Sequence, residues 1–216
     1  MDIVAGDLCP EQAGSDVLPV AVEGIPAELR RLPQWVLWRL KRSDKGKLTK
    51  VPYRVDLADQ RASSTNPATW ATFEAAVEAY RAGKADGIGF VFTDDDPYAG
   101  VDLDKCRDPA TGQLTDWADE FLATLDGYAE LSPSGTGVKV FVRARWDSAT
   151  DKGNKLPFRD GAVERYHTGR YFTVTGHRLE GAVEPIPERS AAVASVWATV
   201  KAASDTGRGK LSNPFI

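Results

Sequence analysis

Cysteine, histidine and methionine are nearly absent: the chain has Cys9 and Cys106, His167 and His177, and one Met in 216 residues. With no CxxC pair, neither a disulfide framework nor a cysteine zinc site is indicated. The two histidines, ten positions apart, make no metal-ligand pair and are expected at the surface. No stretch approaches 18 uninterrupted apolar residues, and the first twenty residues lack the basic start and apolar run of a signal peptide. A soluble protein of the reducing cytoplasm, with no membrane partner, is therefore expected. The pattern GK[ST] occurs nowhere, which removes a Walker A loop and leaves ATPase and helicase classes unsupported.

What the chain does have is segregated charge. The net charge of −4 argues by itself against a nucleic-acid partner, but the distribution says more. Residues 28–61 carry ten Lys/Arg against four acids, residues 134–178 nine against four, and residues 86–130 two against twelve. An acidic band between two basic blocks is the layout expected where metal ions and phosphates meet.

Within the acidic band, Val101-Asp102-Leu103-Asp104 follows the apolar run Ile88–Phe92. Strand side chains alternate faces, so Asp102 and Asp104 share one side, roughly 7 Å apart at Cβ, while Val101 and Leu103 pack on the other. The pair suits a divalent cation; the plainer alternative is a solvated strand end. Asp94-Asp95-Asp96-Pro97 upstream reads as a hairpin loop.

A second motif, Ser132-Pro-Ser134-Gly135-Thr136-Gly137-Val138-Lys139, is a glycine- and hydroxyl-rich turn that delivers a lysine onto the next strand. Its backbone N–H groups and hydroxyls suit a phosphate, with an ordinary β-turn as the alternative. A third stretch, Glu164-Arg-Tyr-His-Thr-Gly-Arg170-Tyr-Phe-Thr173-Val-Thr175-Gly176, offers another strand carboxylate, which would otherwise be the ion-pair partner of a neighbouring cation.

Around these motifs, residues 1–24 lack periodicity and are read as a flexible arm. Residues 34–40 and 48–55 flank the turn Ser43–Gly46 as a hairpin, with Pro52 marking an edge strand. Asn66-Pro67 signals a helix start, and Trp70, Phe73, Val77 and Tyr80 repeat at helical steps up to Gly83. Strands follow near 87–93, 99–105, 128–132, 138–145, 161–167 and 170–176, with helices near 115–125 and 188–203. Residues 146–160 read as a mobile loop and 206–216 as a flexible tail. The order gives a mixed α+β sheet protein, divided as an N-terminal α/β module over 25–86, a catalytic sheet over 87–180 and a C-terminal helix over 181–205.

These motifs together, with Lys50-Val-Pro-Tyr53, Ala62–Trp70, Gly87–Phe92 and Glu130–Gly137, resemble the bifunctional primase/polymerase family of phage and plasmid replication proteins, a branch of the archaeo-eukaryotic primase superfamily. The resemblance runs from about Trp35 to Gly176. It implies a catalytic core built on an RNA-recognition-motif-like sheet that joins nucleoside triphosphates (dNTP or NTP) on a single-stranded DNA template and primer. It also implies two Mg²⁺ or Mn²⁺ ions on Asp102, Asp104 and Glu164, and nucleotide binding by Ser132, Ser134, Gly135, Thr136, Lys139 and Arg170. Lys139 stands where the family usually places a histidine. Lys47, Lys50, Arg54 and Arg61 are candidates for template phosphates, with Tyr53 available to stack on a base.

The implied setting is the cytoplasm of a bacterial host, as a monomer, with a helicase acting in trans or in a C-terminal region. Three alternatives stay open. They are a non-catalytic single-strand-binding module, a calcium-stabilised domain using Asp102, Asp104 and Asp108, and a rolling-circle nuclease, which the absence of His-x-His disfavours.

Overall fold

The computed structural model describes residues 17–44, 46–147 and 153–206. Among these residues, nine strands form two antiparallel sheets. Strands β1 (Trp35–Arg42), β2 (Leu48–Tyr53), β3 (Gly87–Phe92) and β9 (Arg170–Val174) pair in the order β2-β1-β3-β9. Strands β4 (Tyr98–Asp104), β5 (Tyr128–Leu131), β6 (Val138–Arg143), β7 (Lys155–Phe158) and β8 (Gly161–Tyr166) pair in the order β5-β6-β4-β8-β7. The α-helices of the described residues, α1 (Ala27–Arg30), α2 (Phe73–Arg81), α3 (Asp116–Leu125) and α4 (Ser190–Asp205), complete the α+β architecture. No helix among the described residues is long and apolar enough to cross a membrane.

Alternation along the strands sorts the core into two parts. Val101, Leu103, Val138, Val140, Val142 and Val163 turn one face of the second sheet toward Trp117, Phe121 and Leu125 of α3 and Val193, Val196 and Trp197 of α4. From its other face Tyr98, Tyr128 and Phe141 join Trp35, Leu37, Ile88, Phe90, Phe92 and Phe172 of the first sheet and Phe73, Val77 and Tyr80 of α2. Phe92 meets Phe172 edge-on at 5.0 Å, and Phe141 meets Phe172 at 5.7 Å. Each of these rings contributes about 1.5–3 kcal/mol through burial.

The chain changes sheet between β3 and β4 and again between β8 and β9. Residues 87–180, expected as one sheet, are therefore split between two. Asp94–Pro97 is accordingly a corner rather than a hairpin loop. The buried Asp96 carboxylate fixes it by accepting from Gln34 Nε2 at 2.7 Å, from the Thr93 backbone N and hydroxyl, and from Tyr98 N at 2.7 Å.

Other departures from the sequence reading have local causes. Asn66 caps only a 3₁₀ turn, Pro67–Thr69, and α2 starts at Phe73 with the Thr72 hydroxyl accepting from Ala75 N. Between them Ala71 is captured as a bridge partner of Trp35, and the Trp70 indole donates to Ser63 O at 2.6 Å, so Trp70 lies outside the helix. The stretch read as a mobile loop contains β7, an edge strand that tolerates Pro157. Residues 17–24, assigned to a flexible arm, are bound to the rest of the fold. Leu18 N donates to Pro133 O, Ala21 N to Thr175 O, both at 2.7 Å, and Val20 N to the Tyr80 hydroxyl. The remainder of that arm, 1–16, and the tail from 207 lie outside the described residues. His167 is buried, edge-on to Trp146 at 4.3 Å, rather than at the surface.

Candidate active site

The register of the second sheet draws one row of charge across five strands. Glu130 pairs with Lys139, Lys139 with Asp102, Asp102 with Glu164, and Glu164 with Lys155. Directly opposed residues have Cβ atoms about 4.5–5.5 Å apart, so these side chains are forced to interact. Asp104 is two residues further along β4 on the same face, opposite Ala162. Asp102, Asp104 and Glu164 are all half-buried there.

Asp102 and Glu164 each take a cation beside them in the row. The buried Lys139 ammonium donates to Asp102 Oδ2 at 2.5 Å and stands 4.3 Å over the Phe172 ring. Lys155 forms an ion pair with Glu164, whose other oxygen accepts from the Tyr166 hydroxyl at 2.8 Å. Burial works to raise the Glu164 carboxyl, but Lys155 and Tyr166 together outweigh it and hold the group below the usual carboxylate range. The three carboxylates share a face without converging: among the described residues, no three Asp, Glu, His or Cys side chains are grouped to hold a metal ion. Two of them, Asp102 and Glu164, are neutralised by ammonium groups instead.

Two close approaches fix the strand end that carries Asp104. A Cβ added to Gly137 would stand 2.7 Å from Leu103 O and 3.5 Å from Asp104 Cα, and one added to Gly161 would stand 2.1 Å from Asp104 O. Only glycine lets β6 and β8 close on β4 from either side. The turn before Gly137 thus abuts the acidic pair. Several of its amides are spent on the turn itself, since Gly135 N donates to Ser132 O, Gly137 N to the Ser132 hydroxyl and Ser132 N to Gly137 O. The expected cradle of successive N–H groups is reduced accordingly. What remains is a hydroxyl chain, Ser132 to Ser134 at 3.2 Å and Ser134 to Thr136 at 2.8 Å.

Arg170 is exposed, its guanidinium 5.0 Å over the Tyr166 ring and so one residue removed from Glu164. The basic residues of the N-terminal block separate. Lys47 and Arg61 are exposed, while Arg54 is tied to Asp56 by two hydrogen bonds. Tyr53 is buried in the core with the Arg39 guanidinium 4.8 Å over its ring, so its face is covered rather than available to stack on a base. Lys50 is half-buried, and its charge is felt with those of Lys139, Asp102 and Asp104. Burial lowers its pKa first and Lys139 further, against the two aspartates.

Sequence reasoning gave no role to Glu130, Lys155, Tyr166 or Arg107. Glu130 is completely buried, accepting from Thr175 N, Gly176 N and the Tyr128 hydroxyl at 2.8–2.9 Å. Arg107 clamps the glycine turn, its N donating to Thr136 O and its guanidinium to Gly135 O at 2.8 Å. Alternation within 128–131 was the signal for Glu130, but only the register places it beside Lys139.

No family model matches the chain. A DNA primase-polymerase of Nitratiruptor phage NrS-1 is 37% identical to it over 160 residues, which is 73% of this chain and 21% of the relative. The match therefore spans about a fifth of the relative's length. On that identity the chain belongs to the DNA primase-polymerase family.

Proposed function

We propose that this chain is the primase/polymerase domain of a phage or plasmid replication protein, with an archaeo-eukaryotic primase-like core, joining nucleoside triphosphates on single-stranded DNA. The observation that carries the reading is the row Lys139–Asp102–Glu164 with Asp104 on the same face, in a chain that matches a DNA primase-polymerase. Asp102, Asp104 and Glu164 bring only oxygen donors to that face, the kind that hard cations such as Mg²⁺ or Mn²⁺ take. The ammonium groups on Asp102 and Glu164 mark where positive charge is stabilised. Asp102, Asp104 and Glu164 would hold two such ions, which supply a lower pKa for the attacking hydroxyl and charge neutralisation for the triphosphate.

The chain's own groups do the rest. A triphosphate arriving over this face gives the Lys139 ammonium a competing anion, freeing an Asp102 oxygen as Lys139 turns to phosphate. The Ser134 and Thr136 hydroxyls present donors beside Asp104, and Arg170 brings a guanidinium from β9 to charge developing on the nucleotide. Lys47 and Arg61, both exposed, suit template phosphates.

The test is primer extension on a single-stranded template with Mn²⁺ or Mg²⁺. The double change Asp102→Ala, Asp104→Ala is expected to abolish metal-dependent incorporation while the unfolding transition stays cooperative. Extension by that variant at the wild-type rate refutes the mechanism. A wild-type chain that binds single strands yet incorporates nothing under any metal points to a non-catalytic binding module.

A further inference from the structure

Both carboxylate oxygens of Glu164 are taken by donors of the chain itself. Lys155 forms an ion pair through Oε1, and the Tyr166 hydroxyl donates to Oε2 at 2.8 Å. All three side chains share one face of the sheet. Lys155 stands directly opposite Glu164 in the register of β7 and β8, and Tyr166 follows Glu164 by two residues along β8.

The two donors differ in what a metal ion at this carboxylate would do to them. The Tyr166 hydroxyl is neutral, and its ring packs with the Arg170 guanidinium at 5.0 Å and the Phe172 ring at 6.2 Å. It can stay. The Lys155 ammonium carries a charge that repels a second cation on the same carboxylate. It is also free to leave, because its side chain is 55% exposed, against 8% for Lys139, the ammonium on Asp102. Lys155 opens β7, a strand paired on one side only. Once displaced, its ammonium is hydrated again, so the exchange costs little more than an exposed ion pair.

We propose that Lys155 stands in for the metal ion at Glu164: the ion reaches Oε1 by displacing the Lys155 ammonium, while the Tyr166 hydroxyl remains on Oε2. This rests on the polymerase reading, in which Glu164 is a metal ligand. The exchange puts a charge of two where a charge of one stood, on an oxygen that suits a hard cation. Lys155 thereby lowers the apparent cation affinity in proportion to the time it spends on Glu164.

The experiment measures Mn²⁺ binding without nucleotide, from the electron paramagnetic resonance signal of the free ion. It compares wild type with Lys155→Met, Lys155→Gln, Lys155→Arg, Glu164→Gln and the double change Lys155→Met, Glu164→Gln, and the unfolding midpoint of each variant reports whether it folds. Lys155→Met and Lys155→Gln are expected to bind Mn²⁺ about three- to tenfold more tightly than wild type, as removal of a mostly bound competitor does. Lys155→Arg, which keeps the charge, should gain nothing. In the Glu164→Gln background Lys155→Met should leave Mn²⁺ affinity unchanged. Wild-type or weaker affinity in the folded neutral variants overturns the proposal, since Lys155 then does not compete. The same tightening in the Glu164→Gln background also overturns it, since Lys155 then acts only through its general charge. Equal Mn²⁺ affinity in wild type and Glu164→Gln takes Glu164 out of the metal site, a different result that refutes the two-metal reading on which the exchange rests.

Discussion

A carboxyl group buried as completely as that of Glu130 holds its proton more tightly than one in water. Burial pushes it up to about 7 from an ordinary 4.5, against the opposing pull of Thr175 N, the Tyr128 hydroxyl, Gly176 N and Lys139. Between those two values the native state binds the proton that the unfolded chain has released. The stabilisation from this group is therefore full below pH 4.5, is lost as pH rises toward 7, and is flat above. The difference is worth about 3 kcal/mol. Glu130→Gln removes the titration, at a cost of about 1–3 kcal/mol at every pH because its amide NH₂ faces a backbone N–H donor. Urea unfolding at pH 5 and pH 8 should show the wild type losing ground to the variant by about 2–3 kcal/mol between the two. A constant gap across that range would show that Glu130 stays ionised throughout.

Among the elements, β4 depends on how closely its neighbours approach. Gly161→Ala places a methyl group against the Asp104 carbonyl, a backbone atom that cannot rotate away. The expected loss is about 1–3 kcal/mol of stability, as for overpacking elsewhere, and primer extension should fall because Asp104 moves with its strand. Wild-type stability in this variant would contradict the close contact between β8 and β4. The sequence pattern located most of these strands because apolar alternation is local, and α3 because its inward residues repeat at helical spacing. It missed β7, where a proline interrupts a short polar stretch and only pairing with β8 makes a strand of Lys155–Phe158. It also began α2 too early, because an Asn-Pro cap looks the same whether three or ten helical residues follow it. The carboxylates were legible as residues on one face. Their pairing with Lys139 and Lys155 was not, since cross-strand register joins positions 37 and nine apart in sequence.

At the scale of the molecule, the acidic block and the second basic block become one row because β6 of the basic block inserts between β5 and β4 of the acidic one, with β8 and β7 beyond. The same crossing explains why a division at residue 87 follows no physical boundary. β3 lies after that point yet pairs with β1, Trp38 opposite Gly87 and Trp35 opposite Phe90, and β9 returns from beyond β8 to pair with β3. A piece limited to 87–180 keeps every strand of the second sheet but strips β3 of β1. It also loses Trp35, Leu37, Phe73, Val77 and Tyr80 from one core and the α4 residues Val193, Val196 and Trp197 from the other. Each such side chain is worth about 1.5–3 kcal/mol of burial, so the deficit is as large as the whole stability of an ordinary domain, about 5–15 kcal/mol. The 87–180 piece is therefore expected to lack a cooperative thermal transition and fixed near-ultraviolet circular dichroism. Residues 17–206 should melt in one step, with near- and far-ultraviolet signals coincident, because neither sheet can open without unpairing a strand that continues into the other. Independent, cooperative folding of 87–180 would mean that the two sheets are separable after all and that the site rests on the second sheet alone.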